Sequence, residues 1–239
     1  RQLKKTLTNQ LTRTKKYFDI ALKNANFIIK NLWSNEGNLF HNYKNGKNSI
    51  NGYLEDYCFV IAAFVSLYEV TFEEKWLNEA KQLTDYSLEH FYDEKNAFFR
   101  FTSDVDEALI SVHFETEDNV IPASNSVMAK NLNQLSIYFN NSYYEKVARQ
   151  MLNILIPNID YPSAYSNWLD LTLTFSEQNK ELAICGCNAK EANKTINSLY
   201  IPNVIIAGTE KESHLPFLKD RFIANKNVFY VCQNKTCQM

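Results

Sequence analysis

Leu54-Glu55-Asp56-Tyr57-Cys58-Phe59-Val60-Ile61-Ala62-Ala63-Phe64-Val65-Ser66-Leu67-Tyr68-Glu69-Val70 is apolar on nearly every side when wound as a helix. A helix that is hydrophobic all round is a buried one. The segment after it, Glu73 to Phe91, keeps a single apolar stripe of Trp76, Leu77, Ala80, Leu83 and Leu88 against Glu74, Lys75, Lys81, Gln82 and Asp85. That one is amphipathic, with one face in water. The same contrast recurs between Val127–Phe139 and Tyr143–Ile156, and Tyr165 to Phe175, with Trp168 and Leu169, starts another buried helix. Tyr17 to Ala21, Trp76 to Ala80 and Tyr144 to Ala148 each place an aromatic four residues before an alanine, on one helical face, after an earlier apolar segment (Leu7–Leu11, Leu54–Val70, Val127–Phe139). Buried and amphipathic helices therefore alternate in hairpins. An α/α toroid, with an inner ring of helices wrapped by an outer one, satisfies the pattern; a straight solenoid of helix pairs is the alternative.

About seven helices are expected before residue 178, roughly half of a closed six-hairpin toroid. After Glu181 the pattern changes. Leu182–Cys185 and Val204–Ala207 are short strand-like runs flanking a helix-like Ala189–Tyr200, a βαβ signature with parallel strands, and Val228–Cys232 adds a third strand. The expected fold is mainly α: a partial toroid over residues 1–178 with a small α/β appendage over 181–239. A half toroid leaves flanks uncovered, so residues 1–33 and the helix at 162–175 are expected to expose apolar surface or to be covered by the appendage or a second chain.

Composition bounds the function. In 239 residues, 25 basic and 27 acidic side chains leave a net charge of −2, which offers no footprint for nucleic acid or an acidic membrane. The longest apolar run, Cys58 to Val65, is far shorter than the ~20 residues of a membrane span. The five cysteines are irregularly spaced and suit a reducing, cytoplasmic setting better than a disulfide framework. Cys185 and Cys187 alternate on one strand face, too few ligands for zinc; no metal or other cofactor is expected. The first residue is Arg, so the natural N-terminus is expected to lie further upstream.

Chemistry is expected where loops meet the buried helices. Glu55 and Asp56 lie in a first helical turn, where acids complement free N–H groups or act as general acid and base; neighbours ~100° apart allow at most one to face a cavity. The stretch from Asp93 to Pro122 carries no helical pattern, and connections that long are usually functional. Ala97–Phe101 and Ala108–Val112 look strand-like, and Asp104, Asp106, Glu107, His113, Glu115, Glu117 and Asp118 are placed to converge above a cavity. Ser124 or Asn125 is a natural N-cap for the next buried helix. Glu55, Asp56 and His113 are the catalytic candidates. Tyr53, Glu115, Asp118 and Asn125 are ligand-binding candidates, with Trp168 as a stacking surface. On the residues alone, Cys232 is a buried strand residue and Cys237 a tail thiol; the turn-forming Asn234-Lys235 between them can bring their Cα atoms within disulfide reach.

Asn51-Gly52-Tyr53-Leu54-Glu55-Asp56-Tyr57, Phe98-Phe99-Arg100-Phe101-Thr102-Ser103-Asp104, Glu107-Ala108-Leu109-Ile110, Pro122-Ala123-Ser124-Asn125-Ser126 and Val231-Cys232-Gln233-Asn234-Lys235-Thr236-Cys237 together resemble one family, across essentially the whole chain. It is the thioredoxin-domain-containing family of the YyaL and spermatogenesis-associated type. The resemblance implies an N-terminal thioredoxin-like domain, absent here, followed by a toroid similar to those of N-acylglucosamine 2-epimerases and six-hairpin glycosidases. The family usually carries a glycine in the segment that here reads Pro122-Ala123-Ser124-Asn125-Ser126. The resemblance also implies that Cys232 and Cys237 form a reversible thiol pair exchanging with the absent domain. Two functions follow as expectations. One is a site for a carbohydrate-like or other polar small molecule, sugar-modifying if catalytic. The other is a non-catalytic module that packs against the thioredoxin-like domain or a client protein; self-association is expected separately from the uncovered flanks of the half toroid.

Overall fold

The computed structural model describes residues 15–107, 110–177, 180–233 and 236–238. Among these are seven α-helices: α1 Lys15–Asn31, α2 Leu54–Thr71, α3 Lys75–His90, α4 Ser124–Tyr138, α5 Ser142–Leu155, α6 Ser166–Ser176 and α7 Ala189–Asn197. Six of them precede residue 178, along with short 3-10 turns at Ile156–Asn158 and Pro162–Tyr165. Leu7–Leu11, expected as the first apolar segment, lies outside the described residues.

The chain is mainly α, and the contrast of α2 and α4 with α3 and α5 is the one their sequences demand. By comparison α6, expected to be buried, buries only Trp168 and Leu171 and leaves Leu173 exposed. Buried side chains surround α2 (Leu54, Tyr57, Cys58, Ile61, Phe64, Val65, Leu67, Tyr68). They surround α4 as well, including Val127, Met128, Leu132, Leu135 and Tyr138. By contrast, α3 buries one stripe of Trp76, Leu77, Ala80 and Leu83, and α5 buries Tyr144, Val147, Ala148, Met151 and Leu152. α2 packs on α3, α4 packs on α5, and the two apolar helices pack on each other. Buried Asn131 donates from Nδ2 to the Cys58 carbonyl at 2.7 Å, linking the two apolar helices through a polar bond as well as apolar contact.

Among its described residues, the long connection after α3 is barely sheet-like. β1 Tyr92–Asp93 pairs antiparallel with β2 Phe98–Phe99, the only part of the expected Ala97–Phe101 strand that forms. In the second strand-like run, Ala108 and Leu109 lie outside the described residues, and Ile110 to Val112 form no strand.

Beyond α6 lies a four-stranded sheet in the order β4-β3-β5-β6, built from β3 Lys180–Cys185, β4 Val204–Thr209, β5 Val228–Gln233 and β6 Thr236–Gln238. β3 and β4 are parallel, joined through α7. β5, the expected third strand, runs antiparallel to β3, and β6, which the sequence reading did not include, runs antiparallel to β5. No helix returns the chain between Thr209 and Val228, and a parallel partner requires such a crossover. Cys187 falls past the end of β3 and is exposed while Cys185 is buried within it, so the two do not share a strand face. Cys232 and Cys237 face each other across the β5–β6 hairpin and are joined as a disulfide with Cα atoms 4.0 Å apart, in place of separate thiols. The Asn234-Lys235 turn lies outside the described residues.

The sheet rests on the C-terminal ends of α2 and α4. Tyr138 donates its hydroxyl to the Ile206 carbonyl at 3.1 Å, and the Gly208 N–H reaches the Tyr68 hydroxyl at 3.4 Å. Asn193 Nδ2 donates to the Glu69 carbonyl at 2.8 Å. One apolar core runs through both parts, from Leu54 and Leu132 to Ile184, Ala207 and Leu218. A Cβ on Gly208 would sit 2.2 Å from the Phe72 ring. Overpacking of that kind costs about 1–3 kcal/mol. Gly208→Ala is expected to lower the unfolding free energy by that amount, read as a lower urea midpoint with an unchanged denaturant slope.

Candidate functional site

The N-terminal ends of α2 and α4 are where the candidate side chains gather. A helix leaves its first four N–H groups without internal partners, and when that end is covered they must be met by other groups. At α2 the carboxylate of Asp56 accepts from the Tyr53 N–H at 2.9 Å, the reciprocal half of a capping box. The same Oδ2 lies 2.9 Å from Nδ1 of His41.

At α4 the cap comes from a distance. Ala123 occupies the N-cap position, which corrects the expectation that Ser124 or Asn125 caps the helix with its own side chain. Glu115 Oε2 instead accepts from the Ser124 N–H at 2.9 Å. Asp118 Oδ1 accepts from the Ala123 N–H and from the Ser126 hydroxyl, each at 2.9 Å. Its other oxygen accepts from the Asn167 N–H at 2.8 Å, at the start of α6. One carboxylate thus joins two helix N-termini, where its charge also opposes the positive ends of both dipoles.

Asn125 is fully buried, and its amide is used on backbone. Oδ1 accepts from the Phe99 N–H at 2.8 Å. Nδ2 donates to the carbonyls of Phe99 at 2.9 Å and Glu115 at 3.0 Å. It acts as an extra strand beside β2 rather than as a hook for a ligand. Trp168 corrects the expected stacking surface: it is fully buried, donates Nε1–H to the Thr116 carbonyl at 2.9 Å and meets Phe98 edge-on. An indole with both faces in the core has none to offer a sugar.

The remaining candidates line an accessible row of rings. His41 and Tyr53 have centroids 5.1 Å apart, Tyr53 stacks on Phe101 at 4.9 Å, and Phe101 meets exposed His113 at 6.1 Å. Backbone bonds hold the row in register, from the Leu54 N–H to the Phe101 carbonyl and from the Phe101 N–H to the His113 carbonyl, each 2.9 Å. Glu55 lies beside it. Its carboxyl is held above the ordinary carboxylate range, first by burial, then by the like charges of Asp56 and Glu115, with His41 opposing. No side-chain hydrogen bond engages it among the described residues. Beneath the cap, the Ser124 hydroxyl is buried without a partner among the described residues.

The other acids of the connection do not converge. Asp104 lies 2.9 Å from His90, Asp106 accepts from the Asn51 amide at 2.6 Å, and Glu117 accepts from the Tyr165 hydroxyl at 3.3 Å. Each engages a different local partner. His41 is the participant that sequence reasoning missed. It lies in a patterned-by-nothing loop between α1 and α2, and its only signal is its partnership with Asp56, which exists in space and not in spacing.

No family model matches the chain. It is 27% identical over 201 residues to spermatogenesis-associated protein 20 of Homo sapiens, covering 79% of this chain and 26% of that protein. The Mus musculus counterpart is 27% identical over the same length, with 25% of that protein covered. An uncharacterized protein of Caenorhabditis elegans is 25% identical over 253 aligned positions, covering 95% of this chain and 33% of that protein. The chain therefore spans about a quarter of the length of the mammalian relatives it matches. These alignments bear out the resemblance to spermatogenesis-associated proteins read from the motifs.

Two outcomes test the division of the acids. Asp118→Ala is expected to destabilise the chain by about 1.5–3 kcal/mol in chemical denaturation, because it orphans charge-assisted bonds at two helices. Glu55 behaves oppositely. Its folded carboxyl is raised, so the folded state holds its proton more tightly and loses stability as pH rises from below the unfolded value of 4.5 through the folded one. Glu55→Gln is expected to raise the melting temperature at pH 7, with the gain vanishing near pH 4 where both side chains are neutral.

Proposed function

We propose that the chain is part of an α/α toroid whose mouth, at the N-terminal ends of α2 and α4, binds a carbohydrate-like or other polar small molecule. The observation that carries this reading is the Glu55 carboxyl, raised by burial and free of side-chain hydrogen bonds among the described residues, beside a row of exposed His41, half-buried Tyr53 and Phe101, and exposed His113. Rings offer apolar faces to the C–H surface of a sugar, and a carboxyl and imidazoles supply hydrogen bonds to its hydroxyls. If the site is catalytic, Glu55 is the general acid, since a raised carboxyl keeps its proton nearer neutrality, and His113 is the base. Asp56, Glu115, Asp118 and Asn125 act as positioning residues, because their polar atoms are engaged in holding the helix ends. The alternation of enclosed α2 and α4 with one-sided α3 and α5 supports the toroid.

A second reading rests on a different observation. Tyr17, Ile20 and Phe27 of α1 are 53%, 46% and 42% exposed. That face suits a non-catalytic module covered by a thioredoxin-like domain, a client or a second copy.

Thermal-shift measurements with a panel of monosaccharides and amino sugars separate the two. A ligand at a hundredfold excess over Kd stabilises by about 2.7 kcal/mol, expected to raise the melting temperature by about 5 °C or more for a chain of this size. Glu55→Ala and His113→Ala are expected to abolish the shift without lowering the unliganded melting temperature. Silence across the panel, with concentration-dependent dimerisation in sedimentation that Phe27→Asp removes, supports the module.

A further inference from the structure

At the other end of α4 a cavity of about 350 Å³ opens between the helices and the sheet, lined among others by Arg149, Thr174, Phe175, Glu181, Arg221 and Cys237. Its wall includes one half of the Cys232–Cys237 disulfide. Cys232 is fully buried, whereas Cys237 is exposed on the edge strand β6. Arg221 addresses both sulfurs: one guanidinium nitrogen lies 3.2 Å from Sγ of Cys232 and the other 3.3 Å from Sγ of Cys237. The guanidinium is held in place over the rings of Phe217 and Tyr230, at 4.8 and 5.4 Å from their centroids, and the Tyr230 hydroxyl donates to the Arg221 carbonyl at 3.0 Å.

A neutral disulfide has little need of a cation, but the thiolates formed on reduction do. We propose that Cys232, Cys237 and Arg221 form a thiol–disulfide exchange site that accepts two electrons from a dithiol entering by the cavity. A thiolate of the dithiol attacks the accessible Sγ of Cys237 and bonds to it as the Sγ–Sγ bond breaks. The bonding pair leaves on Cys232 as a thiolate beside Arg221. The second thiol of the same dithiol, after losing its proton to solvent, attacks its own partner sulfur in the mixed disulfide and releases Cys237 as a thiolate. The dithiol becomes a disulfide, the cystine becomes two cysteines, and the two protons lost by the dithiol are available to them. A leaving thiolate stabilised by a fixed cation departs faster. The other buried cysteines stand apart from this exchange: burial pushes Cys58 well above the usual thiol range and Cys185 up to about 11.

The test equilibrates the full chain carrying Cys187→Ser, which removes the exposed free thiol, in mixtures of reduced and oxidised dithiothreitol, followed by alkylation and mass spectrometry. Cys232 and Cys237 are expected to convert together at one midpoint. Arg221→Gln is expected to slow reduction about tenfold and to shift the equilibrium toward the disulfide by a similar factor, about 30 mV for a two-electron couple. Arg221→Lys keeps a cation near the two rings without the fork that reaches both sulfurs, and is expected to fall between them; it is the deciding variant if the Gln chain does not fold. Independent labelling of the two cysteines, a pair that stays oxidised in fully reduced dithiothreitol, or an Arg221→Lys chain with wild-type rate and midpoint would each overturn the proposal.

Discussion

Burying a helix on all sides obliges something else to satisfy the end of its backbone, and in this protein that obligation falls on α4. Its first N–H groups meet the carboxylates of Glu115 and Asp118, which arrive from the connection between α3 and α4 rather than from the helix's own cap position. Because each bond joins a charge to a backbone dipole in a partly dry setting, it is worth more than a neutral hydrogen bond. The route of the connection follows from it. Glu115 and Asp118 can reach the helix only if the chain before them runs past Phe99 and Phe101, and Asn125 fixes that path by bonding the Phe99 backbone in both directions.

This arrangement divides a set of acids that look alike in sequence. Asp56, Glu115 and Asp118 act as parts of the scaffold, each with backbone N–H groups to hold. Glu55, one residue from Asp56, is rotated about a quarter-turn or more around α2 and escapes that duty. Its like-charged neighbours and partial burial raise its carboxyl. A group that costs stability and touches no structural partner marks a functional position better than a cluster of carboxylates does. The candidate chemistry is therefore narrower than the acidic composition of the connection, and it gains His41 from a loop that carries no pattern.

The sheet is bound to the helices by aromatic hydroxyls as well as by apolar contact. Tyr68 and Tyr138, edge to face with centroids 5.3 Å apart, bring their hydroxyls to β4, one accepting from Gly208 and the other donating to Ile206. Burial raises both phenols well above their usual range, so they stay neutral and serve as hydrogen-bonding spacers. Gly208 permits the close approach, since any side chain there would meet Phe72. The helical and sheet regions share one core through this contact.

The sequence by itself determined the helices and their alternation, because burial on all faces or on one face is written in the spacing of Leu54 to Val70 against Glu73 to Phe91. It also determined the change to strands near Glu181, where short β-branched runs flank a helix, and it carried the resemblance to spermatogenesis-associated proteins. Tertiary structure decided which polar residues are spent. Trp168 reads as a stacking surface until it is seen inside the core, and Asn125 reads as a cap until its amide is seen bonded to the Phe99 backbone. The placing of Arg221 against the Cys232–Cys237 pair, the meeting of His41 with Asp56 and the antiparallel direction of β5 likewise came from the fold. The physical reason is one of range: periodicity records how a residue stands to its own helix or strand, whereas hydrogen-bond satisfaction and charge depend on partners brought together from distant parts of the chain.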